Sequence, residues 1–136
     1  MKINGACHCG AITYEAEVDP EMSRICHCSD CQTMSGAPYR AIVIAKEEDF
    51  KILTGTPKIY VKTAESGNKR DQGFCGDCGT ALFATSHGGD APKIYGLRLG
   101  AIKQRDQIRP TGQIWTASAQ PWVNDLHDIP GFEKQS

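Results

Sequence analysis

Seven cysteines carry most of the chemistry this chain can do: Cys7, Cys9, Cys26, Cys28, Cys31, Cys75 and Cys78. They fall into a C-x-C, a C-x-C-x-x-C and a C-x-x-C. An odd number cannot close entirely into internal disulfides, and near neighbours make poor disulfide partners. Their thiolates can instead converge on one ion, and zinc, which takes sulfur ligands in fours, is the natural choice. Seven ligands divide as four plus three. Cys75-Gly76-Asp77-Cys78-Gly79 has the form of a zinc knuckle, two thiolates on a glycine-relieved turn. Its second pair can come from Cys7 and Cys9 or from two of the middle cluster. If it is Cys7 and Cys9, then Cys26, Cys28 and Cys31 remain as a trio, and three protein ligands with a free fourth position mark a zinc that does chemistry. His8 and His27 each lie between two cysteines, and in an extended segment their side chains point away from the shared ion. Either can complete the trio only if the loop folds back. His87 and His127 are isolated from the cysteines and read as surface or capping residues.

The elements that must hold these residues are mostly strands. Ile12, Tyr14 and Ala16 alternate with Thr13, Glu15 and Glu17, the pattern of a half-buried strand over 11–17. Tyr39 to Ala45 is apolar and β-branched, as a more central strand would be. Further strands are expected at 50–53, 58–63, 81–85, 94–99 and 113–116. Turn signals separate them, among them Thr54-Gly55-Thr56-Pro57, His87-Gly88-Gly89-Asp90 and Arg109-Pro110-Thr111-Gly112. Many short strands and frequent turns predict a mainly β, antiparallel domain. One short helix is expected after the central cysteine cluster. Ser29-x-x-Gln32 has the form of a capping box and Gly36 can end the helix. Ser29 would then be the cap, with Cys31 in the first turn, where the helix dipole favours a thiolate.

Size and charge exclude several classes. The chain of 136 residues predicts one domain, over 1–132, with 133–136 as a frayed tail. Its net charge of −1 leaves no electrostatic footprint for nucleic acid or an anionic membrane. No apolar run approaches the ~20 residues of a bilayer span. The first residues show no signal-peptide pattern, so a cytoplasmic protein is expected.

The three cysteine clusters, in their setting, resemble the glutathione-dependent formaldehyde-activating enzyme family, which also includes centromere protein V. The resemblance runs through Gly5-Ala6-Cys7-His8-Cys9-Gly10, Cys26-His27-Cys28-Ser29-Asp30-Cys31, Ser35-Gly36 and Phe74-Cys75-Gly76-Asp77-Cys78-Gly79-Thr80. It ends in Ile114-Trp115, Pro121-Trp122 and Asp128-Ile129-Pro130. What it implies is a β-tent of small antiparallel sheets held by zinc, with two zinc ions per chain. Cys7, Cys9, Cys75 and Cys78 would hold a structural ion. Cys26, Cys28 and Cys31 would hold a second, functional and more labile one. Where family members often carry Gly-Ser/Thr-Leu-Asp, this chain reads Leu99-Gly100-Ala101-Ile102-Lys103, so that acidic position is missing.

A zinc on three thiolates is electron-rich and a weaker Lewis acid than one on three histidines, so it suits thiol activation better than water activation. The reaction class implied by the resemblance is carbon–sulfur lysis on a small thiol adduct, glutathione with an aldehyde such as formaldehyde. Ser35 and Tyr39 are candidate binding residues beside the trio, with Trp115 or Trp122 brought in by folding. Large aromatics in a small β domain usually pack in the core, and that reading is favoured for both tryptophans. Arg40, Lys69 and Arg70 can meet glutathione carboxylates, although surface charges need no such role. Two other classes stand beside the enzyme: a binding module with two structural zinc ions and no catalysis, and a thiol sensor that loses metal on oxidation.

Overall fold

The computed structural model describes residues 1–135; Ser136, the end of the expected tail, lies outside them. The described residues are mainly β, with small antiparallel sheets and one α-helix. Strands β1 (Lys2–Ala6), β2 (Thr13–Glu17) and β5 (Phe50–Thr54) form a three-stranded sheet in the order β1-β2-β5. The other sheet contains β3 (Ser23–Cys26), β4 (Arg40–Lys46), β6 (Lys58–Thr63), β7 (Lys69–Phe74), β8 (Ala81–Ser86), β9 (Ile94–Arg98) and β10 (Gly112–Ile114). Its order is β10-β3-β4-β9-β8-β7-β6. All pairings are antiparallel except β10 with β3, which run parallel. No helix among the described residues is long and apolar enough to cross a membrane.

The alternation read from 11–17 does what it should: Ile12, Tyr14 and Ala16 are buried while Glu15 and Glu17 face out. These side chains meet Val43, Leu82, Leu97 and Ile102 in one core, each of the large ones worth about 1.5–3 kcal/mol on burial. An aromatic cluster joins the two sheets. Phe50 lies 5.6 Å from Tyr14, 5.6 Å from Phe83 and 4.8 Å from Tyr95, mostly edge to face. Gly73 makes room for it, since a Cβ there would run into the Phe83 ring. That close approach explains a glycine at the penultimate position of β7.

The helix α1 spans Ser29–Ser35, and Gly36 ends it in the left-handed conformation with φ 63°. Its cap differs from the expected Ser29. Cys28 is the N-cap, and its sulfur accepts from the Cys31 amide at 3.3 Å. Gln32 does not reach back into a capping box either. Its Nε2 donates to the carbonyls of His27, at 2.7 Å, and Ser118, at 3.0 Å, while its Oε1 accepts from Gln120 at 2.8 Å. Gln32 therefore ties the segment 115–120 onto the helix.

Candidate metal centres

Two groups of thiols come together. The sulfurs of Cys7, Cys9, Cys75 and Cys78 lie within 4.8 Å of one another, and so do those of Cys26, Cys28 and Cys31. Cys7 and Cys9 follow β1, and Cys75 and Cys78 occupy the β7–β8 turn, where Gly79 takes φ 79°. The Cys7 and Cys9 sulfurs are 3.6 Å apart and those of Cys9 and Cys75 3.8 Å. A tetrahedral ion with metal–sulfur bonds of ~2.3 Å needs sulfur–sulfur edges of about 3.8 Å, and these two separations match that edge.

Backbone amides and a hydroxyl already serve these sulfurs as they would serve thiolates. The Ile12 amide donates to Cys7 Sγ at 3.2 Å and draws that thiol down. The Thr80 hydroxyl, 3.2 Å from Cys78 Sγ, and then the amides of Cys9 and Thr80 bring the Cys78 thiol down to about 5. At Cys9 the Ala11 amide pulls down, but the crowd of sulfurs, Cys7 foremost, pushes the thiol up to about 12. Four clustered thiolates repel, and a cation is what relieves them.

The trio is built over a shorter stretch. Cys26 closes β3, Cys28 caps α1 and Cys31 lies in its first turn, all three half-buried. Burial raises the Cys26 thiol and pushes Cys31 up to about 12. At Cys28 burial also acts upward, but the Cys31 amide, the two neighbouring sulfurs and the charge of Lys62 carry it downward overall. No fourth donor joins the trio among the described residues. His27 is buried and points elsewhere, its Nε2 2.7 Å from Gln113 Oε1 and its ring edge-on to Tyr39. His8 is exposed. His87 pairs with Asp71 at 2.7 Å, and His127 lies on the surface beside Asp125.

Two clefts lie in this region, and only the first is lined by a cysteine of the trio. The first, of about 440 Å³, opens on Cys28 and is walled by Asp30, Lys62, Glu65, Trp115 and Ser118. Lys62 and Asp30 pair across it at 3.0 Å. Trp115 has φ 56° and ψ 39°, the only non-glycine at positive φ among the described residues, and is half-exposed. A bulky residue held there is strained by about 1–3 kcal/mol, a cost usually met at functional positions. The core reading of both tryptophans is thus overturned: Trp115 and Trp122 are 51% and 48% exposed. Trp122 does not line this cleft.

The second cleft, of about 360 Å³, holds Ser35 and Tyr39 together with Arg40, Thr80 and Arg98. Ser35 Oγ is engaged in its own turn, accepting from the Ala37 amide at 3.2 Å, and Tyr39 is partly exposed. Arg40, expected on the surface, is buried at 6% exposure, because β4 carries it into the sheet opposite Cys26. Lys69 is exposed and Arg70 half-buried. Sequence reasoning missed Lys62, Gln72 and Arg98. Nothing local marks them, since each reaches the trio's surroundings from a distant strand.

Fold and site together define a small β protein with two cysteine clusters able to bind metal. The chain belongs to the glutathione-dependent formaldehyde-activating enzyme family, whose model matches residues 2–118. It is similar to a Halomonas elongata protein provisionally named a glutathione-dependent formaldehyde-activating enzyme. The two are 29% identical over 87 residues, which are 61% of this chain and 55% of that protein. The match thus spans about half the length of that relative. A crystal structure of a Rhodobacter sphaeroides protein shares the fold, with a TM-score of 0.60 at 22% identity over 81% of this chain and 98% of that one.

Proposed function

We propose that the protein is a zinc-dependent carbon–sulfur lyase acting on a small thiol adduct of the S-hydroxymethylglutathione type. Two zinc ions per chain are assigned, a structural one on Cys7, Cys9, Cys75 and Cys78 and a functional, more labile one on Cys26, Cys28 and Cys31. Zinc bound by three sulfurs supplies a fourth position where a thiol loses its proton near neutral pH. The observation that supports this reading is the trio itself: three sulfurs, no fourth protein donor, and a cleft opening on Cys28.

The reaction is a simple exchange. In one direction a thiolate sulfur attacks the aldehyde carbon, a carbon–sulfur bond forms, and the carbonyl oxygen takes up a proton to give a hemithioacetal. In the other, the hydroxyl loses its proton, the carbonyl reforms, and the carbon–sulfur bond breaks with its electron pair on sulfur. The chain's part is to hold the ligand. Trp115, whose carbonyl accepts from the Ser118 amide while Gln32 donates to the Ser118 carbonyl, walls the Cys28 side, and Lys62 offers an ammonium at its rim. The family resemblance and the provisional name of the Halomonas relative add glutathione as the thiol. We also assign residues 1–132 to one domain in the cytoplasm.

The experiment is cobalt substitution followed by visible absorption. Glutathione at millimolar concentration should intensify the sulfur-to-metal band in the wild type, formaldehyde should then change it, and Cys28→Ser should abolish the response. A second reading, a zinc-stabilised binding module, draws on the exposed Ile114, Trp122, Leu126, Ile129 and Phe132. It requires that thiols leave the spectrum of a doubly loaded sample unchanged.

A further inference from the structure

The cleft beside Ser35 and Tyr39 contains two guanidinium groups with no carboxylate partner among the described residues. Arg40 and Arg98 are 6% and 8% exposed, and both line it. Arg40 Nη1 and Arg98 Nη2 donate to the same acceptor, Gln72 Oε1, at 3.2 and 2.9 Å. That oxygen is a neutral amide's. Neither arginine has a carboxylate partner among the ion pairs of the described residues, and both Nε–H groups are buried without a hydrogen-bond partner. Buried guanidinium groups are ordinarily paired and fully hydrogen-bonded. Two held side by side on one amide are arranged against their own repulsion, and nearby negative charge is what makes that arrangement favourable.

We propose that Arg40 and Arg98, aligned by Gln72, form an anion subsite that receives one carboxylate of a ligand entering the cleft between the C-terminal end of α1 and β8. The thiolate trio next to it is part of the balance, but not the whole. Three thiolates on a divalent ion carry one net negative charge against two positive charges on the arginines. The four-sulfur group, whose neighbours Gly79 and Thr80 line the same cleft, would carry two more negative charges when loaded. The subsite therefore stands on the unpartnered guanidinium N–H groups and not on a charge count. The guanidinium fork suits a planar carboxylate, which takes two parallel N–H donors. The ligand's identity rests on the thiol-adduct reading; the subsite itself rests on the arginines alone.

The test is a ¹⁵N titration of arginine Nε–H signals in the metal-loaded protein at constant ionic strength, using sodium acetate and S-methylglutathione, which has carboxylates but no free thiol. Both should shift the Arg40 and Arg98 signals saturably while those of the exposed Arg105 and Arg109 stay nearly still. Arg98→Gln should weaken S-methylglutathione binding about 10- to 100-fold, the loss expected for a hydrogen bond to a charged group, and Arg98→Lys should recover part of it. Weak, linear shifts alike at all arginines would overturn the subsite. So would an Arg98→Gln protein that sheds metal yet binds anions as before, for the pair would then only balance the thiolates. Saturation by acetate without S-methylglutathione would overturn the placement of a ligand carboxylate. If Arg98→Gln does not fold, the wild-type titration decides. The cobalt response to glutathione is measured separately, so failure of the subsite and failure of the thiol reading give different patterns.

Discussion

The two cysteine groups offer a metal the same ligand chemistry, and chain connectivity is what separates them. The four-sulfur group ties the end of β1 to the β7–β8 turn, uniting segments 66 residues apart at Cys9 and Cys75. The trio lies between the end of β3 and the first turn of α1, so an ion there closes only a short loop. An ion that joins distant segments stabilises the whole fold, since its binding energy counts only when both segments are in place. An ion in a local loop adds little to the fold and is free to exchange and to accept an outside ligand. The four sulfurs also leave no coordination position, whereas the trio has a cleft at Cys28 and buried arginines beside it.

The sharpest way to break this comparison is Cys75→Ser. Structural zinc contributes on the order of 10–16 kcal/mol, against a net domain stability of ~5–15 kcal/mol. The variant should be insoluble or molten by near-ultraviolet circular dichroism. A cooperative melt like the wild type's would contradict the structural role. Next comes Cys28→Ser, which should lose one metal equivalent and its thiol response while its melting temperature stays within a few degrees. Unfolding as severe as that of Cys75→Ser would make the trio structural too.

A finer contrast concerns Trp115. Replacing it with glycine removes a side chain that walls the cleft and a residue strained at positive φ. Thermal stability should hold or rise by up to about 1 kcal/mol, since glycine adopts that backbone freely. Affinity for glutathione should fall at the same time. A large loss of stability would show that Trp115 packs as part of the core. The smallest effect is expected at Gly36, which ends α1 at φ 63° with no atom near a built Cβ. Gly36→Ala should cost ~1 kcal/mol from backbone strain alone, measured by urea unfolding, with both metals retained.

Much of this was legible in the sequence because cysteine spacing and strand alternation are local signals. The strand at 11–17, the central strand from 39 and the Gly36 helix end needed only neighbours to be read. The β7 strand was not expected, because Lys69-Arg70-Asp71-Gln72 is polar and its β character comes from pairing with β6 and β8. Nor was β10's parallel pairing with β3, a contact across nearly ninety residues. The burial of Arg40 was illegible for a similar reason. A charged residue reads as exposed unless its partner is known, and its partner Gln72 lies on another strand. The cap failed on a subtler point: Ser29 has the better capping chemistry, yet Cys28 occupies the position and uses its sulfur as the acceptor.

The most direct measurement of the difference between the two centres is stepwise removal of zinc by a graded series of chelators, with released metal and circular dichroism followed in the same sample. Two stages are expected. A first equivalent should leave under a weak chelator with the fold unchanged, and it should be absent from Cys28→Ser. A second should leave only under a strong chelator, together with loss of the near-ultraviolet signal. Release of both equivalents in a single step, or unfolding that accompanies the first, would contradict that difference.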